Sequence, residues 1–180
     1  MAQIIFLHGA SSSGKSSIAR ALQARIERPF WHVSIDHLRD SGVLPMSRFR
    51  SREFDWRAAR PAFFAGFHAS LAAYADAGND LILEHILDED AWLGDLRRLF
   101  AGHDVYFVGV HCPLPRLIAR EAARGDRAPG SAAADFATVH IGKHYDLELQ
   151  SEDGLEANVD AILAGWRAGR RASSFSGIGP

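Results

Sequence analysis

The sequence predicts an α/β domain in which three layers, αβα, enclose a five-stranded parallel sheet. Three observations carry this. Short apolar runs alternate with longer segments of helical periodicity along the chain. Some runs are continuously apolar, as in Leu81-Ile82-Leu83, the pattern of a parallel strand covered on both faces. The 180 residues fit one domain, without an internal repeat or a linker-like composition shift.

Each element has its own signal. Gln3–His8 is β-branched and apolar, and Gly9 ends it as a first strand. Lys15–Glu27 carries Ile18, Leu22 and Ile26 on one helical face. Trp31–Asp36 reads as a second strand, and residues 37–54, with Gly42 and Pro45, as irregular, with room for a short helix that the pattern does not place. A long helix is predicted over Trp56–Asp76, with Phe63, Phe64, Phe67, Leu71 and Tyr74 as its stripe and Gly78 as its stop. Pro61 marks its first turn or a kink. Asp80–Ile86 is the third strand, 89–100 a helix, Asp104–His111 the fourth strand and Pro113–Arg124 a helix. A loop over 125–131, a helix over 132–142, a strand over Tyr145–Leu149 and a helix over Gly154–Arg167 complete the domain, residues 1–167. Residues 168–180 form a C-terminal tail, and the last eight, SSFSGIGP, read as a frayed terminus.

Composition excludes several classes. Twenty Lys and Arg against 22 Asp and Glu leave a net charge of -2, which argues against a binder of nucleic-acid backbone. Cys112 is the only cysteine, so no internal disulfide or cysteine-rich zinc site exists, and a reduced compartment is expected. The longest apolar stretch, Pro61–Ala75, contains His68 and Ser70 and falls short of the roughly 20 residues of a membrane helix. The expectation is a cytoplasmic protein.

The most informative segment is Gly9-Ala10-Ser11-Ser12-Ser13-Gly14-Lys15-Ser16. It matches G-x-x-x-x-G-K-[ST] between a predicted strand and a predicted helix. Glycines let the backbone turn its N–H groups around phosphate oxygens, and the helix start adds its positive end. These eight residues and Ser17 are the candidate nucleotide cradle. Lys15 is expected on the β- and γ-phosphates and Ser16 on Mg²⁺, with a nucleoside triphosphate as ligand.

The N-K-x-D and D-x-x-G patterns of regulatory GTPases are absent, which leaves a small kinase. Such an enzyme needs a base, a metal-side acid and lid arginines. Asp36, at the predicted end of the second strand, is placed to accept the proton of an acceptor hydroxyl. Glu84, after Leu81-Ile82-Leu83, is in the position of an acid that holds Mg²⁺ directly or through water. Arg120, Arg124 and Arg127 are candidate phosphate contacts on a small helical lid over about 120–135, because guanidinium presents a fixed fork of donors.

The chain resembles the chloramphenicol phosphotransferase family of P-loop kinases. The matching pieces are the Gly9–Ser16 loop, the segments 33–38, 81–86, 108–112 and 121–127, and Val139-His140 with Tyr145-Asp146. They span roughly residues 3–165 in the family's order. The resemblance implies an adenylate-kinase-like fold, ATP as donor and an alcohol as acceptor. It also implies Asp36 as general base and Arg124 and Arg127 as contacts to nucleotide phosphates, with Gly125 and Asp126 as parts of the same segment. Two departures stand out. Glu84-His85 replaces paired aspartates, and Leu38–Trp56, which in the family helps form the acceptor pocket, matches poorly.

Other residues were candidates too. His85 lines the acceptor site or packs. His140 and His144 share a helical face without an obvious third metal ligand, and His140 fits the family pattern. Cys112 reads as a buried structural residue. Phe49, Phe54 and Trp56 are the better aromatic pocket candidates, ahead of Trp31 and Phe63, which read as core. The expected activity is phosphoryl transfer from ATP to a hydroxyl of a small molecule, with antibiotic resistance and ordinary metabolism both compatible. A kinase of another acceptor (nucleotide, sugar or metabolite) and a catalytically silent ATP-binding module are the alternatives. Acceptor-dependent ADP release separates the enzymes from the module.

Overall fold

A computed structural model of the chain describes residues 1–124 and 130–176, with Arg124 described by its backbone alone. The elements are β1 (Gln3–His8), α1 (Lys15–Arg25), β2 (Phe30–Ser34), α2 (Ile35–Asp40), α3 (Met46–Arg50), α4 (Trp56–Asp76), β3 (Asp80–Glu84), α5 (Asp90–Leu99), β4 (Asp104–His111), α6 (Leu114–Arg124), α7 (Ser131–Thr138), β5 (Leu147–Gln150) and α8 (Leu155–Arg167). The five strands form one parallel sheet in the order β2-β3-β1-β4-β5, with Ile5 opposite Ile82 on one side and Tyr106 on the other.

Alternation along β1 divides the core. Ile4 and Phe6 join one cluster, where Phe64, Phe67 and Leu71 of α4 and Leu96 of α5 cover the sheet. Ile5 and Leu7 join the other, under Ile18 and Leu22 of α1 and Val159 and Ile162 of α8. The three layers follow directly from this period of two. Ile4, Ile5, Phe6 and Leu7 are at most 1% exposed. Burial of each such side chain contributes roughly 1.5–3 kcal/mol. A third, smaller cluster of Ala10, Cys112, Leu117, Ala132 and Val139 attaches α6 and α7 beside the first loop. Among the described residues, no helix is long and apolar enough to cross a membrane.

The differences from the sequence expectation have local causes. β2 ends at Ser34, opposite Glu84, where β3 also ends. Without a partner to pair with, the chain enters α2, so Asp36 lies in a helical first turn rather than at a strand end. The segment 37–54, with its room for a short helix, holds α3 and the end of α2, whose first residues take the place of the expected end of the second strand. Pro61 lies inside α4, beyond its first turn, and Asp55 caps that helix by accepting the Arg57 N–H at 2.8 Å. β5 begins at Leu147, because Asp146 is held on the edge of β4: its Oδ2 accepts the Phe107 N–H at 2.8 Å.

The tail is not frayed as far as Ser176. Arg171 pairs with Asp104 at 2.7 and 2.9 Å, and Asp146 Oδ1 accepts the N–H groups of Ala172 and Ser173. Phe175 then packs its ring 5.0 Å from Phe107 and 5.6 Å from Phe6. One aromatic anchor in a polar, glycine-bearing segment is enough to fix it to the sheet.

Candidate active site

β1 is the central strand, and the chain leaves its carboxyl end between β3 and β4, where a parallel α/β sheet opens a crevice. The loop there is tightly constrained. A Cβ at Gly9 would lie 2.3 Å from the Val110 carbonyl oxygen, so only glycine fits. Gly14 has a φ of 104° and Ser12 of 64°, both in the left-handed region. Lys15 Nζ donates to the carbonyls of Gly9 and Ala10 at 2.8 and 2.7 Å, and lies 3.5 Å from Ser13 Oγ. Arg120 Nη1 donates to the carbonyls of Ser12 and Ser13, both at 3.2 Å. The carbonyls are thus turned toward cations, and the loop runs into the first turn of α1, the positive end of the helix dipole. That is an anion cradle.

Glu84 closes one side of it. It is 6% exposed, and its Oε2 accepts the Ser16 hydroxyl at 2.7 Å. Its Oε1 pairs with His32 Nε2. Burial alone would raise its pKa. The hydrogen bonds from His32 and Ser16, with the charges of His32 and Lys15, outweigh burial and hold the carboxyl below its ordinary value. Hydroxyl and ionised carboxylate are the hard oxygen donors that suit Mg²⁺, so Ser16 and Glu84 fit the metal expected there.

A cleft of about 920 Å³ runs from this cradle. Its lining includes Ser11 to Ser17, Asp36, Glu84 and Arg120, so the structure brings together most of the residues singled out in the sequence. Asp36 also pairs with Arg39 at 3.2 Å. The volume is within the range of ligand pockets. Arg127, with Gly125 and Asp126, and the side chain of Arg124 lie outside the described residues.

The aromatic expectation is corrected. Phe49, Phe54, Trp56 and Phe63 form a cluster of edge-to-face and tilted rings that reaches Phe64 but does not itself line the cleft, and Trp31, 47% exposed, lies against Tyr74. The cleft wall is instead Phe64 and Trp92, with ring centroids 4.4 Å apart. His85 does both things considered for it. It lines the cleft and packs against both of these rings, with its Nε2 2.9 Å from that of His68. His140 bonds Tyr145 and stacks on His111, and among the described residues no three His, Cys, Asp or Glu side chains are grouped to hold a metal. Cys112 is buried.

Sequence reading missed His32, Phe64 as a wall residue, Trp92 and Asp135. Asp135 Oδ2 accepts the Ser11 N–H at 2.9 Å and ties α7 to the loop. Only His32 left a signal: it shares the Phe30/Ser34 face of β2, two residues before the strand end.

A family model described as chloramphenicol phosphotransferase-like protein matches residues 2–167. A Mycobacterium tuberculosis protein with the provisional name of an O-phosphotransferase is 30% identical over 168 residues, covering 83% of this chain and 75% of the relative. Among solved structures, a gluconokinase from Sinorhizobium meliloti superposes with a TM-score of 0.66 at 20% identity, covering 92% of each chain. The Mycobacterium tuberculosis APS kinase, solved with AMPPNP and APS, gives a TM-score of 0.66 at 18% identity, covering 92% of this chain and 98% of that one. These two likenesses are of fold.

Proposed function

The chain belongs to the chloramphenicol phosphotransferase-like family, and from that premise we propose that it transfers the γ-phosphoryl group of ATP to a hydroxyl of a small molecule. The observation that supports this best is one cleft lined by an anion cradle, a Ser16–Glu84 pair and a separate carboxylate, Asp36.

In this reading the roles divide by position. The N–H groups of the loop and of the first turn of α1 bind the phosphates. Lys15 exchanges its loop carbonyls for phosphate oxygens, and Arg120 stays on the rim of the loop. Ser16 and Glu84 hold Mg²⁺, directly or through water. When bound, the metal would supply charge neutralisation for the phosphates. Asp36 accepts the hydrogen bond of the acceptor hydroxyl and takes its proton as the new P–O bond forms and the bond from the γ-phosphorus to the ADP oxygen breaks. Arg124 and Arg127, by the resemblance, neutralise the transferring group from the lid.

The acceptor lies against Phe64 and Trp92, beside Asp36 and Asp88. A panel of alcohols that includes chloramphenicol, gluconate and shikimate tests the reading, with ADP release and mass detection of a phosphate adduct. The reading expects at least one adduct that requires ATP, Mg²⁺ and Asp36. Nucleotide binding without any acceptor-dependent ADP would instead support an ATP-binding module.

A further inference from the structure

Three rings beside the loop form a hydrogen-bonded chain that the transfer mechanism leaves unused. It begins at Leu87, whose backbone N–H donates to His8 Nε2 at 3.1 Å. An accepting nitrogen carries no proton. His8 is 0% exposed, and burial, with the charge of Lys15, pushes its pKa well below the usual histidine range. The ring is therefore neutral, with its proton on Nδ1. That N–H donates to Tyr145 Oη at 2.9 Å. The single tyrosine proton is passed on to His140 Nδ1 at 2.7 Å. Burial, with the neighbouring His111, Lys143 and Lys15, lowers the His140 pKa to about 4, so this ring too is neutral and accepts. Each link then has one direction.

Packing fixes the tyrosine. Its ring stacks on His8 and lies 4.7 Å from Phe107. A Cβ at Gly109 would stand 2.8 Å from the ring, so glycine there makes room for it. This connects two segments of the family resemblance that have no role in phosphoryl transfer, the glycine of 108–112 and the pair His140 and Tyr145.

We propose that Tyr145 is a positioning residue for the acceptor half of the cleft. By accepting from His8 Nδ1–H, its hydroxyl holds the ring whose Nε2 accepts the Leu87 amide, and with it the His85–Asp88 segment, of which His85, Ile86 and Asp88 line the cleft. Without the hydroxyl, the buried His8 Nδ1–H loses its acceptor. The other tautomer is no remedy, because it would set an Nε2–H against the Leu87 N–H; the ring turns toward another acceptor instead, and its bond to Leu87 weakens. The chain acts on the geometry of the segment that faces the acceptor and leaves the phosphate loop unchanged. The kinetic consequence rests on the transferase reading; the hydrogen-bond consequence does not.

Tyr145→Phe tests this, because it keeps the ring and deletes only the hydroxyl. In the ligand-free protein, ring-nitrogen NMR shifts report the His8 tautomer and amide exchange reports Leu87. The expected result is the Nδ1–H tautomer in both proteins, a displaced His8 Nδ1 resonance in the variant, and Leu87 exchange faster on the order of ten-fold, the loss of about one hydrogen bond. With ATP, Mg²⁺ and an acceptor from the panel above, the acceptor KM rises about ten-fold while the ATP KM is unchanged. A folded variant with unaltered His8 Nδ1 resonance and Leu87 exchange overturns the proposal. So does faster Leu87 exchange with an unaltered acceptor KM. If the wild type uses no acceptor at all, the transferase reading fails, and the resonance and exchange readouts alone decide whether Tyr145 holds the segment.

Discussion

In the proposed reaction, the donor and acceptor halves of the cleft are built from different material. The donor half is mostly backbone. Seven consecutive residues, Ser11 to Ser17, and the strand-end acid Glu84 line it. The acceptor half is side chains drawn from α2, α4, the turn after β3 and α5: Asp36, Phe64, His85, Asp88 and Trp92. Backbone chemistry imposes residue types at fixed spacing, because only glycine tolerates the 2.3 Å approach at Gly9. A wall of side chains demands only shape and chemistry, which many sequences can supply. One half can therefore be shared across a fold while the other differs with the acceptor.

The largest expected effect is on the donor half. Lys15→Ala removes the cation that holds the Gly9 and Ala10 carbonyls and, in the proposed mechanism, the γ-phosphoryl charge. ADP formation is expected to fall by about 10³-fold or more. A loss of less than about ten-fold would break the claim that this half depends on its motif.

An intermediate effect separates the halves. Trp92→Ala is expected to raise the acceptor KM about ten-fold and to leave the ATP KM unchanged, since an aromatic face is lost only on the acceptor side. Phe49→Ala, at a ring that belongs to the aromatic cluster and does not line the cleft, is expected to change neither. Equal changes in both constants for Trp92→Ala would show that the halves are not separable.

The smallest effect is on stability and has a definite sign. His140 has a folded pKa of about 4 against an ordinary 6.5. Between these values the unfolded chain binds a proton that the native state does not. Stability therefore falls as pH drops from 6.5 toward 4, and the fall from this group flattens below that. Urea midpoints measured across this range should decline less steeply in His140→Gln. An identical slope would mean that other groups, such as His8, carry the dependence.

The same contrast explains what could be read from the sequence. The layer order was legible because β1 alternates strictly, with Ile4 and Phe6 on one face and Ile5 and Leu7 on the other. The loop was legible because its backbone writes a motif, and Glu84 because it follows three apolar strand residues. Trp92 and Phe64 were not, since nothing in local spacing says that α4 and α5 bring their rings within 4.4 Å. The end of β2 was misplaced by two residues, because the strand stops where its partner β3 stops, a tertiary fact. The tail looked frayed because its anchoring acid, Asp146, is 26 residues from Ala172.

The most direct test of the central claim is Asp36→Asn. If Asp36 is the base that serves the acceptor, the variant keeps its affinity for ADP with Mg²⁺ within about two-fold and loses phosphoryl transfer by roughly 10²–10⁴-fold. Turnover equal to wild type, with nucleotide affinity intact, would contradict it and remove Asp36 from the reaction.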